Sequence, residues 1–239
     1  MLVWRSLTSF LGQQPCSCCG RASPQTICRD CERRLRSWEV RQRQRYWRGS
    51  LPLFPWGYYQ QDLKRAIATM KYNNHPELGT LFGQWLALSW LEAKIAQRLP
   101  LQIVPIPLHR DKLQSRGFNQ AALIAEGFCR ALELPLAPVG LIRQRATQFM
   151  FQLSLTERQA NLENAFRLGQ GLQRRRWLLL CDDIYTTGTT ARTAAAVLRG
   201  AGYKVLGIIT VAVALPDQLV DSTVKATNIK ASVHSTTAP

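Results

Sequence analysis

The segment from Trp177 to Ala196, WLLLCDDIYTTGTTARTAAA, constrains the fold of this chain more than any other part of the sequence. Its first residues are mostly aliphatic and predict a buried parallel strand. Two acids, Asp182 and Asp183, stand where we expect that strand to end, and a helix is predicted from Thr190 to Leu198. A strand, a hydroxyl-rich glycine loop and a helix in this order predict an anion site, because loop N–H groups meet the positive end of the helix dipole.

The chemistry of this segment favours a phosphorylated sugar as the ligand. Open parallel α/β sheets bind ligands at the carboxyl ends of their strands. Ionised carboxylates only accept hydrogen bonds and a ribose diol donates two, so adjacent acids suit a polyhydroxylated sugar. The alternative is a threonine-rich helix cap after an ordinary strand, with Asp183 exposed by chance. A Walker site does not fit, because no Gly-Lys-Ser/Thr sequence follows the loop.

Length and composition predict one α/β domain with a small additional element, since the chain has 239 residues of which 46% are hydrophobic. No apolar run approaches the roughly 20 residues that span a bilayer. The N-terminal stretch MLVWRSLTSFLG is a poor signal peptide and is more typical of a short amphipathic helix, so we expect a cytoplasmic protein. The net charge of +16 is typical of proteins that bind polyanions, and a solvated basic surface is the alternative.

Cysteine spacing predicts a metal centre near the N-terminus. Seven cysteines in a chain expected to be cytoplasmic argue for metal before disulfides. Cys16-x-x-Cys19 and Cys28-x-x-Cys31 form two knuckles separated by eight residues. Two knuckles complete the tetrahedral four-thiolate site of structural zinc. Cys18 lies inside the first knuckle, where it could compete as a ligand or remain a free thiol.

The segment that follows Cys31 is rich in arginine and aromatic residues. Seven arginines fall between Arg33 and Arg48, with Trp38, Tyr46 and Trp47 among them. This composition is typical of sequence-independent single-strand binding, in which charges follow the phosphates and rings stack on the bases. It equally fits a solvated arginine-rich helix whose aromatic residues pack on the main domain. The sequence leaves both interpretations open.

Hydrophobic periodicity predicts alternating helices and strands, and therefore a doubly wound, mostly parallel sheet. The predicted helices run from about Leu63 to Tyr72, Leu78 to Arg98, Gln120 to Leu132 and Thr190 to Arg199, with helical spacing again from Leu155 to Asn161; the predicted strands are Leu101 to Ile106, Trp177 to Cys181 and Val205 to Ala214. We expect a zinc element and basic segment over 1–48, the α/β domain over 49–215 and a loose tail over 216–239.

The acidic and threonine segment resembles the phosphoribosyl pyrophosphate (PRPP) motif of type I phosphoribosyltransferases. In that motif a strand ends in two acids and a Thr-Thr-Gly-x-Thr loop follows. The resemblance implies that Asp182 and Asp183 hold the ribose hydroxyls, directly or through Mg²⁺. It also implies that the 5′-phosphate lies in the loop of Thr186, Thr187, Gly188, Thr189 and Thr190.

From Cys16 to about Ala214 the chain resembles the ComF/GntX family, in which a four-cysteine zinc element precedes a type I phosphoribosyltransferase-like domain. Besides the knuckles and the acidic segment, the resemblance is carried by Lys71-Tyr72, Val104-Pro105-Ile106-Pro107-Leu108, Arg116-Gly117-Phe118-Asn119-Gln120, Gln152-Leu153-Ser154, Glu157-Arg158 and Asn161. The family is associated with natural competence. The resemblance therefore implies handling of incoming single-stranded DNA on the cytoplasmic side, with competence proteins as partners.

By analogy with the related transferases, the segment from Pro107 to Asn119 is the candidate lid and pyrophosphate region. Arg110, Lys112 and Arg116 would then meet the diphosphate charge. The other interpretation of the stretch from Arg116 is a helix start capped by Asn119. Arg143 and Arg145 could face either phosphate or solvent.

Two functions follow from these patterns. The leading hypothesis is a competence accessory protein that binds single-stranded DNA and holds PRPP, or a related phosphosugar, with Mg²⁺. The alternative is an active phosphoribosyltransferase of nucleotide salvage, which would displace pyrophosphate from C1 of PRPP by orientation and charge neutralisation. No single residue is assigned as catalytic. The zinc element and arginine segment take the position of the acceptor hood, which suits a nucleic acid better than a free base.

Overall fold

The computed structural model describes residues 12–96, 98–144 and 165–214. Its strands are β1 (Gln14–Pro15), β2 (Ala22–Ser23), β3 (Leu53–Tyr58), β4 (Leu101–Pro105), β5 (Leu141–Arg143), β6 (Phe166–Leu168), β7 (Trp177–Tyr185) and β8 (Lys204–Val213). Its α-helices are α1 (Arg29–Arg36), α2 (Gln61–Tyr72), α3 (Glu77–Ala93), α4 (Arg110–Arg116), α5 (Gln120–Leu132) and α6 (Thr189–Gly200). A short 3₁₀ turn spans Arg43–Arg45.

A four-stranded parallel sheet in the order β3-β8-β7-β4 forms the centre of the protein. The aliphatic run Leu178–Cys181 lies on the inner strand β7 and is fully buried. An inner strand of a parallel sheet is covered on both faces, which is why its sequence is continuously apolar instead of alternating. The predicted α/β class and parallel sheet are confirmed.

Two hydrophobic clusters cover the two faces of the sheet. On one face α2, α3 and α5 pack against Leu179 and Cys181 of β7. On the other face α6 and the antiparallel pair β5–β6 pack against Leu178 and Leu180. Alternate residues of one strand thus enter different layers, as the period of two requires. Helices on both faces make the sheet doubly wound, as predicted.

Strand β7 is longer than the sequence predicts. We expected it to end at Cys181, but it continues to Tyr185, so that Asp182 and Asp183 belong to the strand itself. The reason is the neighbouring strand β8, where Thr210 pairs with Asp182 and extends the ladder past the acids. Polar residues can continue a strand when a partner satisfies their backbone groups.

The helix predictions are confirmed in position and partly in length. Helix α5 begins and ends where expected, and the Asn119 side chain caps it by accepting from the Ala121 N–H. Helix α3 stops before the predicted Arg98, because Lys94 adopts a left-handed conformation with φ of 53°. Such a residue ends a helix by turning the chain away from its axis.

The N-terminal cysteine element packs on the sheet domain. Cys16, Cys31 and Leu35 belong to the same buried cluster as Leu63 of α2. The Ser17 hydroxyl donates to a carboxylate oxygen of Glu77, at 2.6 Å. The element and the helices of one sheet face therefore share apolar contacts.

The aromatic residues of the arginine-rich segment pack inward. Trp47 contacts Trp90 edge to face, with ring centroids 5.3 Å apart, and Trp38 packs against the same core. Arg43 is itself buried and pairs with Glu39. Of the two interpretations left open, the structure favours aromatic residues that pack on the main domain, joined by arginines that are mostly exposed.

Several predictions fall outside the described residues. They concern the N-terminal amphipathic stretch, Arg145, the helical spacing from Leu155 to Asn161, the stretch Gln152-Leu153-Ser154 with Glu157-Arg158, and the tail over 216–239. Within the described ranges, every helix is too short or too polar to cross a membrane.

Candidate functional site

Asp182 and Asp183 occupy consecutive positions of β7, so their side chains point to opposite faces of the sheet. The Asp183 carboxylate forms an ion pair with Lys71 at the end of α2, with Oδ2 and Nζ 2.5 Å apart. Both side chains are largely buried, with exposed fractions of 12% for the acid and 17% for the lysine. Asp182 accepts a hydrogen bond from the Asp183 backbone N–H at 2.8 Å.

The two acids differ in their electrostatic environment. Burial, and next the charge of Asp183, raise the pKa of Asp182 to about 8. The Asp183 N–H, Lys71 and Arg143 act in the opposite direction without cancelling the effect. The raised pKa favours the protonated form of Asp182 over the ionised form. A ligand that brings positive charge to this carboxylate would displace that proton.

The threonine loop turns the chain from β7 into α6. Gly188 takes φ of +74°, and a side chain there would clash with the Tyr185 ring, so the turn requires glycine. The hydroxyls of Thr187 and Thr189 lie 3.0 Å apart, and Thr187 also accepts from the Thr189 N–H at 3.4 Å. Thr186 and Thr187 are exposed. The loop thus presents hydroxyls at the positive end of a helix, where anions bind well.

The loop after β4 lies against the same strand. The Ile106 N–H donates to the carbonyl of Cys181 at 2.8 Å, and the Asn119 amide donates to the Ile106 carbonyl at 3.0 Å. Asn119 also caps α5, so the capping interpretation of this stretch is confirmed. The predicted lid region contains helix α4, in which no residue is buried.

Arg116 does not contact the two acids. Its guanidinium donates to Gln120 at 2.7 Å and lies over the Tyr72 ring, 5.2 Å from the centroid. Tyr72 directly follows Lys71 in the sequence. Arg116 therefore contacts the residue next to the lysine that pairs with Asp183. Arg110 and Lys112 are exposed on α4. The role of these cations toward a diphosphate remains a prediction.

Two cations, Lys71 and Arg143, act electrostatically on Asp182, and of these only Arg143 was considered as a phosphate ligand from the sequence. Arg143 lies over the Phe166 ring at 5.4 Å and acts electrostatically on Asp182. From the sequence, Lys71 was a helix end and part of the family resemblance, without an assigned role in the site. The signal was the spacing of α2, because Leu63, Ile67 and Lys71 recur every four residues on one face. A lysine that continues an apolar stripe needs an acid within the core.

The four predicted cysteines form a compact cluster. The thiol sulfurs of Cys16, Cys19, Cys28 and Cys31 all lie within 4.8 Å of one another. The sulfurs of Cys19 and Cys28 are 3.7 Å apart. A tetrahedral zinc ion with bonds of about 2.3 Å to sulfur would need sulfurs about 3.8 Å apart. Both the donor set and its dimensions fit a structural zinc ion.

Backbone hydrogen bonds favour the thiolate form of one member of this cluster. Burial acts to raise the pKa of Cys16, but the backbone N–H groups of Cys28, Cys18 and Cys19 outweigh it and lower the pKa to about 6. Arg34 donates to the Cys31 sulfur at 3.3 Å. The predicted competitor Cys18 is not among the four clustered cysteines. Burial raises the pKa of the Cys18 thiol to about 12, and burial likewise raises the pKa of the clustered Cys31, so it is the position of Cys18 outside the cluster that sets it apart.

The chain is similar to proteins named for competence and DNA utilization. DNA utilization protein YhgH of Escherichia coli K12 is 33% identical over 142 residues, or 59% of this chain and 62% of that protein. Competence protein F of Haemophilus influenzae is 31% identical over 152 residues, or 62% and 66% of the two chains. Competence protein ComFC of Bacillus subtilis is 29% identical over 185 residues, or 77% and 70%. The alignments with the first two relatives span less than two thirds of those proteins.

The similarity to these competence and DNA utilization proteins confirms the resemblance to the ComF/GntX family that the sequence predicted. No protein-family model matches the chain. Similar solved structures are phosphoribosyltransferases. The hypoxanthine enzyme of Staphylococcus aureus has a TM-score of 0.37 at 16% identity, covering 59% of this chain and 75% of that one. The adenine enzyme of Trypanosoma brucei has a TM-score of 0.38 at 11% identity, covering 80% and 84%.

Proposed function

We propose that this protein is a cytoplasmic ComF-type DNA-handling protein that binds single-stranded DNA and holds PRPP, or a related phosphosugar, at the end of β7. The observation that carries the proposal is the buried Lys71–Asp183 ion pair, next to Asp182 on the strand that leads into the hydroxyl-rich loop and α6. The names of the relatives, competence and DNA utilization, support a role in DNA handling.

The residues suggest how a phosphosugar would be held. The loop from Thr186 to Thr190 would take the 5′-phosphate through hydroxyls and N–H groups at the helix start. The ribose diol would donate to Asp182 and Asp183. Lys71 and Arg143 stand on either side of the acids and would meet the diphosphate charge. Carboxylate oxygens are suitable Mg²⁺ ligands, and the ion would neutralise the remaining charge.

Structural zinc in the four-cysteine cluster forms part of the proposal. Four thiolates around one ion would hold the N-terminal element against α2 and α3, because Cys16 and Cys31 are part of that shared core. The exposed arginines of α1 and the following segment would then be fixed on the sheet domain. Their charge supports binding of a polyanion.

Calorimetry with PRPP and Mg²⁺ tests the phosphosugar site. The wild type should bind, and Asp182→Asn with Asp183→Asn should abolish binding. Glu126→Gln, an equivalent change on the exposed side of α5, is the matched control and should bind as the wild type does. Binding that survives the double substitution would refute the site.

Anisotropy of a labelled oligothymidine tests the DNA part of the proposal. Affinity should fall steeply with salt and should survive Asp182→Asn/Asp183→Asn, because the phosphate backbone dominates such binding. Titration in the presence of PRPP and Mg²⁺ shows whether the two ligands influence each other. Absence of oligonucleotide binding at low salt would contradict a DNA-handling role.

The alternative is an active phosphoribosyltransferase of nucleotide salvage. It is favoured by the placement of Lys71 and Arg143, because cations on both sides of the acids suit a departing pyrophosphate. Steady release of pyrophosphate from PRPP with a free base, lost in Asp182→Asn/Asp183→Asn, would establish this function. PRPP binding without release for any base would exclude it.

A further inference from the structure

A cleft of about 420 Å³ lies between α1 and α2, beside the four-cysteine cluster. Its apolar wall includes Leu35 and Ala66, and its polar wall includes Arg34, Asp62 and Arg65. The volume falls within the range of about 300 to 1,000 Å³ that small-ligand sites occupy. Cys31 of the cluster and the neighbouring Cys18 also line the cleft, whereas Asp182 and Asp183 do not.

The polar wall of the cleft is positive and partly pre-ordered. Arg65 pairs with Asp62 at 2.7 Å, and Arg34 approaches the same carboxylate oxygen at 3.8 Å. The exposed fraction of the side chain is 73% for Arg65 and 51% for Arg34. Arg34 also donates to the Cys31 sulfur, but a guanidinium has five N–H donors, so donors remain available on both arginines. Two arginines tethered in this way suit a phosphate group.

Tyr72 lines the cleft and has an exposed side chain. Its exposed fraction is 74%, and all other aromatic side chains of the described residues are buried or half-buried. The Arg116 guanidinium lies over this ring. Tyr72 also directly follows Lys71, the partner of Asp183, so α2 carries both this ring and a cation of the candidate phosphosugar site.

We propose that this cleft, the α1–α2 cleft, takes one unpaired nucleotide of single-stranded DNA. The base lies against the Tyr72 ring, and its phosphate binds Arg34 and Arg65. A base in a duplex is not available for such stacking, so the site selects single strands. This inference rests on the proposed function and deepens it, since it moves base stacking from the arginine-rich segment to α2. The strand then runs from the cysteine element toward the acids of β7.

Anisotropy with labelled oligothymidine tests the cleft in the full-length protein. Tyr72→Leu should weaken binding about fivefold or more, whereas Tyr72→Phe should stay within about twofold, because only the ring is needed. Arg65→Gln should lower the slope of log affinity against log salt by about one, and Arg130→Gln, at an exposed position of α5, should not. Both Tyr72 and Arg65 are exposed, so these changes leave the core intact.

Photo-crosslinking to an oligonucleotide that carries 5-iodouracil gives an independent readout. Mass spectrometry should find the base attached to the peptide that contains Tyr72. If Tyr72→Leu and Arg65→Gln bind as tightly as the wild type does, the proposal that the cleft binds a nucleotide is wrong. The DNA-handling proposal would still stand. Loss in Arg65→Gln without loss in Tyr72→Leu would overturn nucleotide stacking in favour of a purely ionic contact. Absence of wild-type binding would overturn both proposals.

Discussion

The cysteine cluster draws its four sulfurs from the single stretch Cys16–Cys31, whereas the groups around Asp182 and Asp183 come from α2, β5 and β7. A site that is local in sequence can be recognised from its spacing. A site that is assembled by the fold shows only its local part, here the acids and the threonine loop. We therefore expect that loss of one cysteine removes the whole metal site, whereas loss of one residue around the two acids changes stability or ligand affinity by an amount that depends on that residue.

The largest expected effect is removal of the metal from the cysteine cluster. Cys19→Ser or Cys28→Ser should abolish zinc binding and destabilise the N-terminal element by several kcal/mol, because metal binding contributes directly to folding in such elements. Elemental analysis should find one zinc ion per wild-type chain. Cys18→Ser is the matched control and should retain zinc. Zinc retained in the Cys19→Ser variant would show that the four cysteines do not form one metal site.

Loss of Lys71 should have the next largest effect. Lys71→Met leaves the Asp183 carboxylate buried without its cation, which should cost about 3 to 5 kcal/mol in urea unfolding. Addition of Asp183→Asn should restore part of that stability. Arg65→Gln, which breaks the exposed pair with Asp62, should cost less than about 1 kcal/mol. An equal loss of unfolding free energy in Lys71→Met and Arg65→Gln would show that the buried pair stabilises the protein no more than the exposed pair does.

These two predictions separate what the sequence reveals from what the fold adds. Cys16 to Cys31 could be predicted as a cluster because the spacing alone brings thiols together. Lys71 could not be assigned to Asp183, because their contact depends on how α2 crosses the sheet. The end of β7 was misplaced for the same reason, since pairing with Thr210 of β8 decides it.

The arginine-rich segment shows the same limit. Composition alone left stacking on bases and packing on the domain equally open. The choice depends on whether a partner surface exists, and Trp90 of α3 supplies one for Trp47. The exposed aromatic ring belongs to Tyr72 and not to the arginine-rich segment. The position of Tyr72 at the end of a predicted helix did not indicate that its ring would be exposed.

Titration of Asp182 should have a smaller effect on stability. Its pKa of about 8 lies above the ordinary carboxyl value, so the folded state binds a proton that the unfolded state releases. Its contribution is therefore lost as pH rises from about 4 to about 8. Asp182→Asn cannot titrate, so its stability relative to wild type should grow by at least about 1 kcal/mol across this range. Urea unfolding at pH 5 and pH 8 measures the difference.

The control for this titration is Glu126→Gln, in which the difference from wild type should be the same at both pH values. A difference for Asp182→Asn that stays constant or shrinks with pH would contradict the raised pKa. Binding of PRPP with Mg²⁺ should strengthen over the same range in the wild type, because the cation needs the ionised carboxylate.

The smallest effect on stability is expected in the threonine loop, where ligand affinity should change instead. Thr187 is exposed, so Thr187→Val should change the free energy of unfolding by less than about 0.5 kcal/mol. Loss of one hydrogen bond to a charged phosphate should nevertheless weaken PRPP binding about tenfold. Thr193→Val, one turn further along α6, should bind as the wild type does. A tenfold loss in both variants would point to the helix as a whole, and no loss in either would remove the loop from the site.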